Sequence, residues 1–487
     1  MMAMKLNCLK KILPQAKLHS FQNVEFTDIC YNSRSVKPGC LFVAIPGSKT
    51  DGQNFIGEAV HRGCVAFIAR KKIDLHPNIP QLIVKNPREA LAIISNFFFQ
   101  DPSSKLKIIG LTGTNGKTTT AYLIRSILEA SGKKVGQLGT IAYHIGSREI
   151  PAPLTTPESY EISRFLSEMV GLGLNHVVME ASSHSLFQKR VSQINFNRAV
   201  FTNLGRDHFD FHKNFNEYRK AKSLLFKHLS PQAGAILNKD DPQSNYFASL
   251  TRAPIIWYSL KSNEEVTAYV NNSSLKGTHL TIRLPTGDFP VQTKLIGQPN
   301  IYNILAAAAC AVSLNIEPHF IVQGIESLTT VRGRMELVHT DREFSVMIDF
   351  AHTPDALEKV LTGLRSLVSG RLIVLFGCGG DRDRGKRPLM GKITARYADL
   401  VILTSDNPRS EDPLKIIQDI KKGLPKKYRY YNYVDRYEAI EHALNTARQN
   451  DLVLIAGKGH ETYQIFKDTV KPFDDRNVVE QIIKTLK

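Results

Sequence analysis

The run Thr112-Gly113-Thr114-Asn115-Gly116-Lys117-Thr118-Thr119-Thr120 constrains this chain more than any other stretch. An apolar segment over 106–111 leads into it and a helical pattern through residue 128 leads out. That succession of strand, glycine-rich turn and helix is a phosphate cradle. Backbone N–H groups at such a helix N-terminus point at anionic oxygens, the lysine adds a mobile charge, and the following hydroxyl suits Mg²⁺. The spacing departs from the general P-loop pattern, which asks for glycine five places before Gly116, where this chain has Leu111. A Gly/Thr turn that merely joins strand to helix is the competing reading. The Lys-Thr pair in register with both elements favours a nucleoside triphosphate.

A chain of 487 residues is too long for one core and suggests about three domains. Strand-like runs over 40–45, 65–68 and 81–84 with a helix over 87–99 outline a small α/β unit. From 105 to about 330, strands over 176–179, 198–202 and 235–237 alternate with helices, as in a mostly parallel sheet covered on both faces. A third α/β block follows Arg332-Gly333-Arg334, with strands over 345–348, 371–376, 400–404 and 452–456. The expected fold is therefore α/β in three domains: a small N-terminal one at 1–103, a central P-loop-type sheet at 104–331 and a Rossmann-like one at 332–487.

Six cysteines, Cys8, Cys30, Cys40, Cys64, Cys310 and Cys378, show no Cys-x-x-Cys spacing, so neither a disulfide framework nor a thiolate metal site is expected. A reducing cytosol fits. No run approaches about 18 apolar residues and no signal-peptide order opens the chain, so a soluble, unprocessed protein is expected. The formal charge of +18 admits a nucleic-acid partner, yet the basic residues are dispersed, with local groups at 213–227, 382–387 and 421–429. A generally basic solvated surface explains them better.

Other residues cluster where open α/β sheets bind ligands, at the ends of predicted strands. Glu180 ends the run 176–179 and is either an Mg²⁺ ligand or a solvent-facing strand-end acid. The loop Asn203-Leu204-Gly205-Arg206-Asp207-His208-Phe209-Asp210-Phe211-His212 suits metal or phosphate, or leaves its histidines in water. In the next helix, capped by Asn216 in this reading, Tyr218, Lys222 and Leu225 share one apolar face and Lys220 points elsewhere. An inward lysine is desolvated toward its neutral amine, which takes up CO₂ as a carbamate; a snorkelling surface lysine is the plainer alternative. Asn300 and Asn303 precede a helix over 304–314 and present amides to a base or turn the chain. In the third block, Gly379-Gly380-Asp381-Arg382, Asp406-Asn407-Pro408-Arg409 and Gly457-Lys458-Gly459-His460-Glu461 all follow strands, forming one rim.

Taken together these motifs resemble the Mur ligases, ATP-dependent amide-forming enzymes of peptidoglycan synthesis, over nearly the whole chain. The resemblance also rests on Asn32-Ser33-Arg34, Pro38-Gly39, Leu154-Thr155-Thr156-Pro157, Glu180-Ala181-Ser182-Ser183-His184, Gly333-Arg334-Met335-Glu336 and Asp349-Phe350-Ala351-His352-Thr353-Pro354. It implies that Gly113, Thr114, Asn115, Gly116, Lys117, Thr118 and Thr119 hold the ATP phosphates, with Asn303 on adenine and Arg334 and Asp349 on phosphate and ribose. Thr118, Glu180, His208 and a carbamylated Lys222 would be Mg²⁺ ligands, with Lys117, Lys222 and His208 catalytic. Ser33, Ser48, Lys49 and Thr50 would take the uridine end of UDP-N-acetylmuramoyl-L-alanyl-D-glutamate in the N-terminal domain. Thr155, Thr156, Ser182, Gln188 and Arg190 would line its muramoyl-dipeptide. Arg382, Asp406, Asn407, Pro408, Arg409, Gly457 and Glu461 would bind the incoming amino acid in the C-terminal domain, Arg409 selecting meso-diaminopimelate through its extra carboxylate.

The implied partners are these small molecules and ATP. Nucleic acid and membrane insertion are not expected, and the implied protein is a cytoplasmic monomer serving cell-wall synthesis. A folylpolyglutamate synthetase or another Mur ligase shares the ATP loop and the lysine carbamate, but the Asp-Asn-Pro-Arg and Gly-Lys-Gly-His-Glu loops argue against these. A nucleic-acid-dependent P-loop ATPase lacks a supporting motif. Asn32 stands where the family often has Asp, Phe350 where Tyr is common, and Arg332 where Pro often precedes Gly-Arg-Met-Glu.

Overall fold

Short apolar runs become strands here because helices cover them on both faces, leaving almost no polar alternation along their length. The run Leu452–Ala456, for example, is buried at every position. The computed structural model describes residues 3–20, 22–47, 50–74 and 78–486. By contacts they group into two compact units. The first comprises 1–110, 133–197 and 228–230, and the second 111–132, 198–227 and 231–487.

In the first unit, a five-stranded sheet runs in the order Lys17–His19, Gln81–Ile83, Ala66–Ala69, Cys40–Val43, Asp28–Cys30. All its pairings are parallel except the first. The helix Pro87–Phe98 covers it, capped by Asn86, whose side chain accepts from Glu89 N, and turned inward through Ala90, Leu91 and Ile94. Further on, Val135–Leu138 pairs in parallel with His176–Glu180 and antiparallel with Ala142–Ile145. The cysteines depart from their sequence spacing: Cys30 and Cys40, on neighbouring strands, bring their sulfurs to 3.0 Å, although all six remain free thiols.

In the second unit, Phe196–Phe201, Gly234–Asn238 and Ile255–Tyr258 pair in parallel. The phosphate-loop helix Lys117–Ala130 packs against Gln298–Ser313 and Pro318–Ser327. A six-stranded sheet follows, in the order Glu336–Val338, Ser345–Asp349, Leu452–Ala456, Leu372–Phe376, Leu400–Leu403, Tyr430–Asn432. Only its first strand is antiparallel. Helices Pro354–Arg365, Lys386–Tyr397 and Pro413–Lys421 close one face and Arg436–Thr446 and Asp475–Thr485 the other. Five adjacent parallel strands thus end side by side, which gathers the loops that follow them.

Two helix boundaries differ from the sequence reading. The helix Phe215–Lys227 is capped two residues earlier, by Asn214, whose Oδ1 accepts from Glu217 N at 3.0 Å, while Asn216 already lies inside it. Asn300 and Asn303 are within the helix Gln298–Ser313, because Pro299 occupies its tolerant first turn.

The phosphate-loop helix has no slack behind it. A Cβ on Gly324 would meet the Cα of Ile127 at 2.3 Å, and Ser126 Oγ donates to Gly324 O at 2.6 Å. Gly324→Ala is expected to cost about 2 kcal/mol through forced backbone separation. Urea unfolding that shows less than half of that loss would contradict this packing.

Candidate active site

The phosphate loop is held by the backbone and side chains that follow the strand Phe196–Phe201. Thr114 N donates to Asn203 O (2.8 Å), Asn115 N to Asn203 Oδ1 (3.1 Å), and Thr202 Oγ1 to Asn115 O (2.6 Å). Gly116 adopts φ +86°, and a Cβ there would lie 2.3 Å from Asn303 Oδ1. Asn303 in turn donates to Asn300 Oδ1 and accepts from Thr120 Oγ1. It lines, with Gly116, Tyr302 and Asp355, a groove of about 1190 Å³ beside the loop. Lys117 Nζ rests on the carbonyls of Gly113 and Thr114, both at 2.9 Å.

Lys222 is an inward lysine, not a snorkelling one. It is 1% exposed among Tyr218 and Leu225, whereas Lys220 is exposed. Its Nζ donates to Gly113 O at 2.7 Å, directly behind the cradle. Burial, reinforced by the nearby Lys117 charge, drives its pKa well below the ordinary lysine range. Asp207 and His208 lie on the loop before this helix, 3.4 Å apart, with His208 at φ +56°. Burial would raise the Asp207 pKa, but the charges of His208, His352 and Lys386 hold it below the usual range.

Arg334 also reaches the loop. Its Nη2 donates to Thr118 Oγ1 at 3.3 Å and its guanidinium lies over the Phe350 ring, 4.4 Å from the centroid. Asp349 braces that turn, accepting from Met335 N and Ala351 N at 2.7 Å each; burial raises its pKa. The three departures from the family pattern are each accommodated. Phe350 supplies the ring under Arg334, Arg332 pairs with Asp474, and Asn32 caps the turn carrying Ser33.

The three strand-end loops do form one rim. With residues 206–210 they line a cavity of about 240 Å³ that contains His208, Arg382, Asp406, Asn407, Arg409, Gly457 and Glu461. Arg409, at φ +54°, donates to Gly380 O at 2.7 Å, and Gly457 at φ +110° leaves room for the Asp406 carboxylate. Pro408 packs so closely that a Cβ on Gly380 would meet its carbonyl oxygen at 1.8 Å. Neither Arg382 nor Arg409 pairs with a carboxylate among the described residues. Two guanidiniums therefore converge on the cavity with their charge available. Sequence reasoning missed the buried supports: Arg387 holds Glu411 and Asp419, and Arg436 pairs with Asp475 while donating to Ser405 O and Ala456 O. Only their tertiary partners distinguish these arginines from surface ones.

The first unit gathers a second set of predicted residues. Glu180 is fully buried as the last residue of its strand, its carboxylate accepting from Thr140 N and Thr140 Oγ1 at 2.9 Å each, which removes the solvent-facing alternative. Thr156 Oγ1 donates to Glu180 O at 2.7 Å and accepts from Ser182 N at 3.1 Å; Thr155 Oγ1 lies 3.2 Å from Thr140 Oγ1. Arg190 donates to Thr156 O (3.0 Å) and Gln188 Oε1 (2.5 Å) and pairs with Glu158. Ser33 is separate from this cluster, donating to Glu58 Oε2 at 2.7 Å. Thr50 is exposed, and Ser48 and Lys49 lie outside the described residues.

A phosphate loop backed by a buried lysine, beside a cavity rich in arginine at parallel strand ends, defines a nucleotide-dependent ligase of the Mur type. Models of the Mur ligase middle domain, of the Mur ligase glutamate ligase domain and of the Mur ligase family catalytic domain match residues 111–311, 333–459 and 25–100 respectively. The chain belongs to the Mur ligase family. The UDP-N-acetylmuramoyl-L-alanyl-D-glutamate–2,6-diaminopimelate ligase of Geobacillus thermodenitrificans is 42% identical over 488 residues, covering 99% of each chain. The enzyme of the same name from Caldanaerobacter subterraneus subsp. tengcongensis is 44% identical over 462 residues, 95% of each chain. A solved structure of a ligase of that name superposes with a TM-score of 0.69 at 32% identity, covering 99% of each chain.

Burial of Lys222 has a measurable signature. Below the unfolded value of 10.5 the unfolded chain keeps a proton that the folded chain gives up, so the destabilisation grows as pH falls and disappears above that value. In bicarbonate-free buffer, Lys222→Met is expected to be at least as stable as the native chain, with its advantage widening toward acid. Melting curves at pH 6 and 9 that show the variant less stable at both would refute the buried amine.

Proposed function

We propose that this protein is the ATP-dependent ligase that adds meso-2,6-diaminopimelate to the D-glutamate of UDP-N-acetylmuramoyl-L-alanyl-D-glutamate in cytoplasmic peptidoglycan precursor synthesis. The observation that carries this reading is the pair of unpaired guanidiniums, Arg382 and Arg409, in the same cavity as Glu461 and Asp406. Guanidiniums fork onto a carboxylate and acids take an ammonium group, so the cavity complements an amino-acid centre. Diaminopimelate carries such a centre at both ends. L-lysine lacks the second carboxylate and would leave the arginines unmatched.

The chemistry follows from a poor electrophile. A carboxylate resists attack by an amine, so the γ-carboxylate of D-glutamate takes the γ-phosphoryl group of ATP, releasing ADP. The amine of the amino acid then adds to the acyl carbon, a proton leaves its nitrogen, and inorganic phosphate departs as the amide forms. Lys117 turns from the loop carbonyls to the phosphate oxygens, and Arg334 adds a second cation beside Thr118. Asn303 faces the base, and Asp349 holds the Arg334 turn in place.

Magnesium ligands in this reading are Thr118, His208 and Lys222 in the second unit and Glu180 in the first. The buried Lys222 amine, its pKa driven down by burial, fits carbamylation: its nitrogen bonds the carbon of CO₂ and a proton leaves, turning a non-ligand into an anionic oxygen donor of the kind Mg²⁺ prefers. Bound Mg²⁺ supplies charge neutralisation on the transferring phosphoryl group. Ser33, Ser48, Lys49, Thr50, Thr155, Thr156, Ser182, Gln188 and Arg190 serve the nucleotide substrate. The functional domains are 1–103, 104–331 and 332–487, in a monomer. No helix among the described residues is long and apolar enough to cross a membrane.

Phosphate release from ATP with UDP-N-acetylmuramoyl-L-alanyl-D-glutamate tests the reading. Turnover is expected with meso-diaminopimelate and at most trace turnover with L-lysine; the reverse preference, or none with either, defeats it. Arg409→Ala should lower kcat/KM for diaminopimelate roughly 100-fold through loss of a desolvated charge pair.

A further inference from the structure

The Gly-Lys-Gly-His-Glu loop contains a charge for which the proposed function has no task. Lys458 is 0% exposed, so its ammonium does not touch a substrate in the cavity. Its three donors are all used: Glu461 Oε2 at 3.0 Å, Asn407 Oδ1 at 3.5 Å and Tyr463 O at 2.5 Å. These acceptors belong to the loop after Leu452–Ala456, the turn after Leu400–Leu403 and the start of the hairpin Tyr463–Phe466 and Thr469–Pro472.

Each acceptor has a further connection to the cavity. Glu461 Oε2 also accepts from Asn407 Nδ2 at 2.8 Å, so this oxygen is occupied by two donors, while Oε1 accepts none among the described residues. Asn407 Oδ1 also accepts from Ile465 N at 3.0 Å. The hairpin then grips Arg409: Arg409 N donates to Ile465 O at 2.9 Å and Lys467 N donates to Arg409 O at 2.6 Å. That two-sided backbone bridge accompanies the left-handed φ of +54° at Arg409. Gln464 Nε2 adds a bond to Asp406 O at 2.9 Å.

We propose that Lys458 is a positioning residue for the incoming amino acid, its buried ammonium locking Glu461 and Asn407 so that Glu461 Oε1 is left to receive the substrate's ammonium group. The assignment rests on the amino-acid site proposed above. Without the ammonium, Glu461 stands beside the Asp406 acid in the same cavity with its charge uncompensated, and it rotates outward. Lys458 also ties that acid to the hairpin that holds Arg409. One buried cation thus aligns the acceptor for an ammonium and the donor for a carboxylate.

The experiment is steady-state phosphate release by the full chain, each substrate varied in turn, for native protein, Lys458→Met, Glu461→Gln and the double variant. Lys458→Met should raise KM for meso-diaminopimelate roughly tenfold or more, with kcat within about threefold and the KM values for ATP and the nucleotide substrate unchanged. The double variant should be no worse than the weaker single one, because Lys458 acts through Glu461. An amino-acid KM within about twofold of native, an equal rise in all three KM values, or additive losses each overturn the assignment. Should Lys458→Met be insoluble, Lys458→Gln, which keeps one donor group, is read by the same criteria. Native protein inactive with meso-diaminopimelate overturns the amino-acid site and this assignment together; native turnover with an unmoved KM overturns this assignment alone.

Discussion

The phosphate loop leaves no room for side chains at Gly113 and Gly116, and the second unit is arranged around that contact. A Cβ on Gly113 would lie 1.9 Å from Thr202 Oγ1, the hydroxyl that donates to Asn115 O. Close approach lets the strand end at 202–205 and the helix Gln298–Ser313 grip the loop directly. Its N–H groups are then held toward an anion before one arrives, so little reorganisation is left for the reaction itself. The same approach places Gly113 O where Lys222 donates to it, joining the cradle to the buried amine.

Buried charge elsewhere in the second unit serves geometry more than stability. Arg436 and Asp475 are both 0% exposed and Arg387 is similarly enclosed. An apolar replacement of such pairs is often neutral for folding, so their presence needs a local reason. That reason is visible in what they touch. Arg436 donates to the carbonyls of Ser405 and Ala456, one residue before Asp406 and Gly457, and Glu411, held by Arg387, accepts from Asp381 N beside Arg382. Each buried cation fixes the root of a loop whose tip lines the cavity. Lys222 differs in kind, being buried without a carboxylate partner among the described residues and donating to the phosphate-loop carbonyl of Gly113.

Much of this was legible in the chain. Strand positions in the third block agree with the structure to within a residue or so, because runs such as 371–376 are apolar throughout and short. The inward face of Lys222 followed from helical spacing against Tyr218 and Leu225. Less legible were features set by contact across sequence distance. Asn214 rather than Asn216 caps its helix, since both are good caps and only the backbone geometry selects. Glu180 is enclosed by Thr140, forty residues away, and Cys30 meets Cys40 only because their strands are neighbours.

The sequence by itself determined the kinds of groups this protein deploys: a phosphate loop, strand-end acids and arginines, and a lysine on an apolar helix face. These depend on local periodicity and turn chemistry, which a few adjacent residues encode. Only the tertiary structure decided which of those groups are available. Arg382 and Arg409 keep their charge for a ligand while Arg387 and Arg436 spend theirs on buried acids, and Lys458 is a support held by a side-chain carboxylate while Lys117 rests on the carbonyls of the phosphate loop. Identical side chains divide in this way because burial and partner geometry, which arise from strand order and helix packing, fix the energy of each charge.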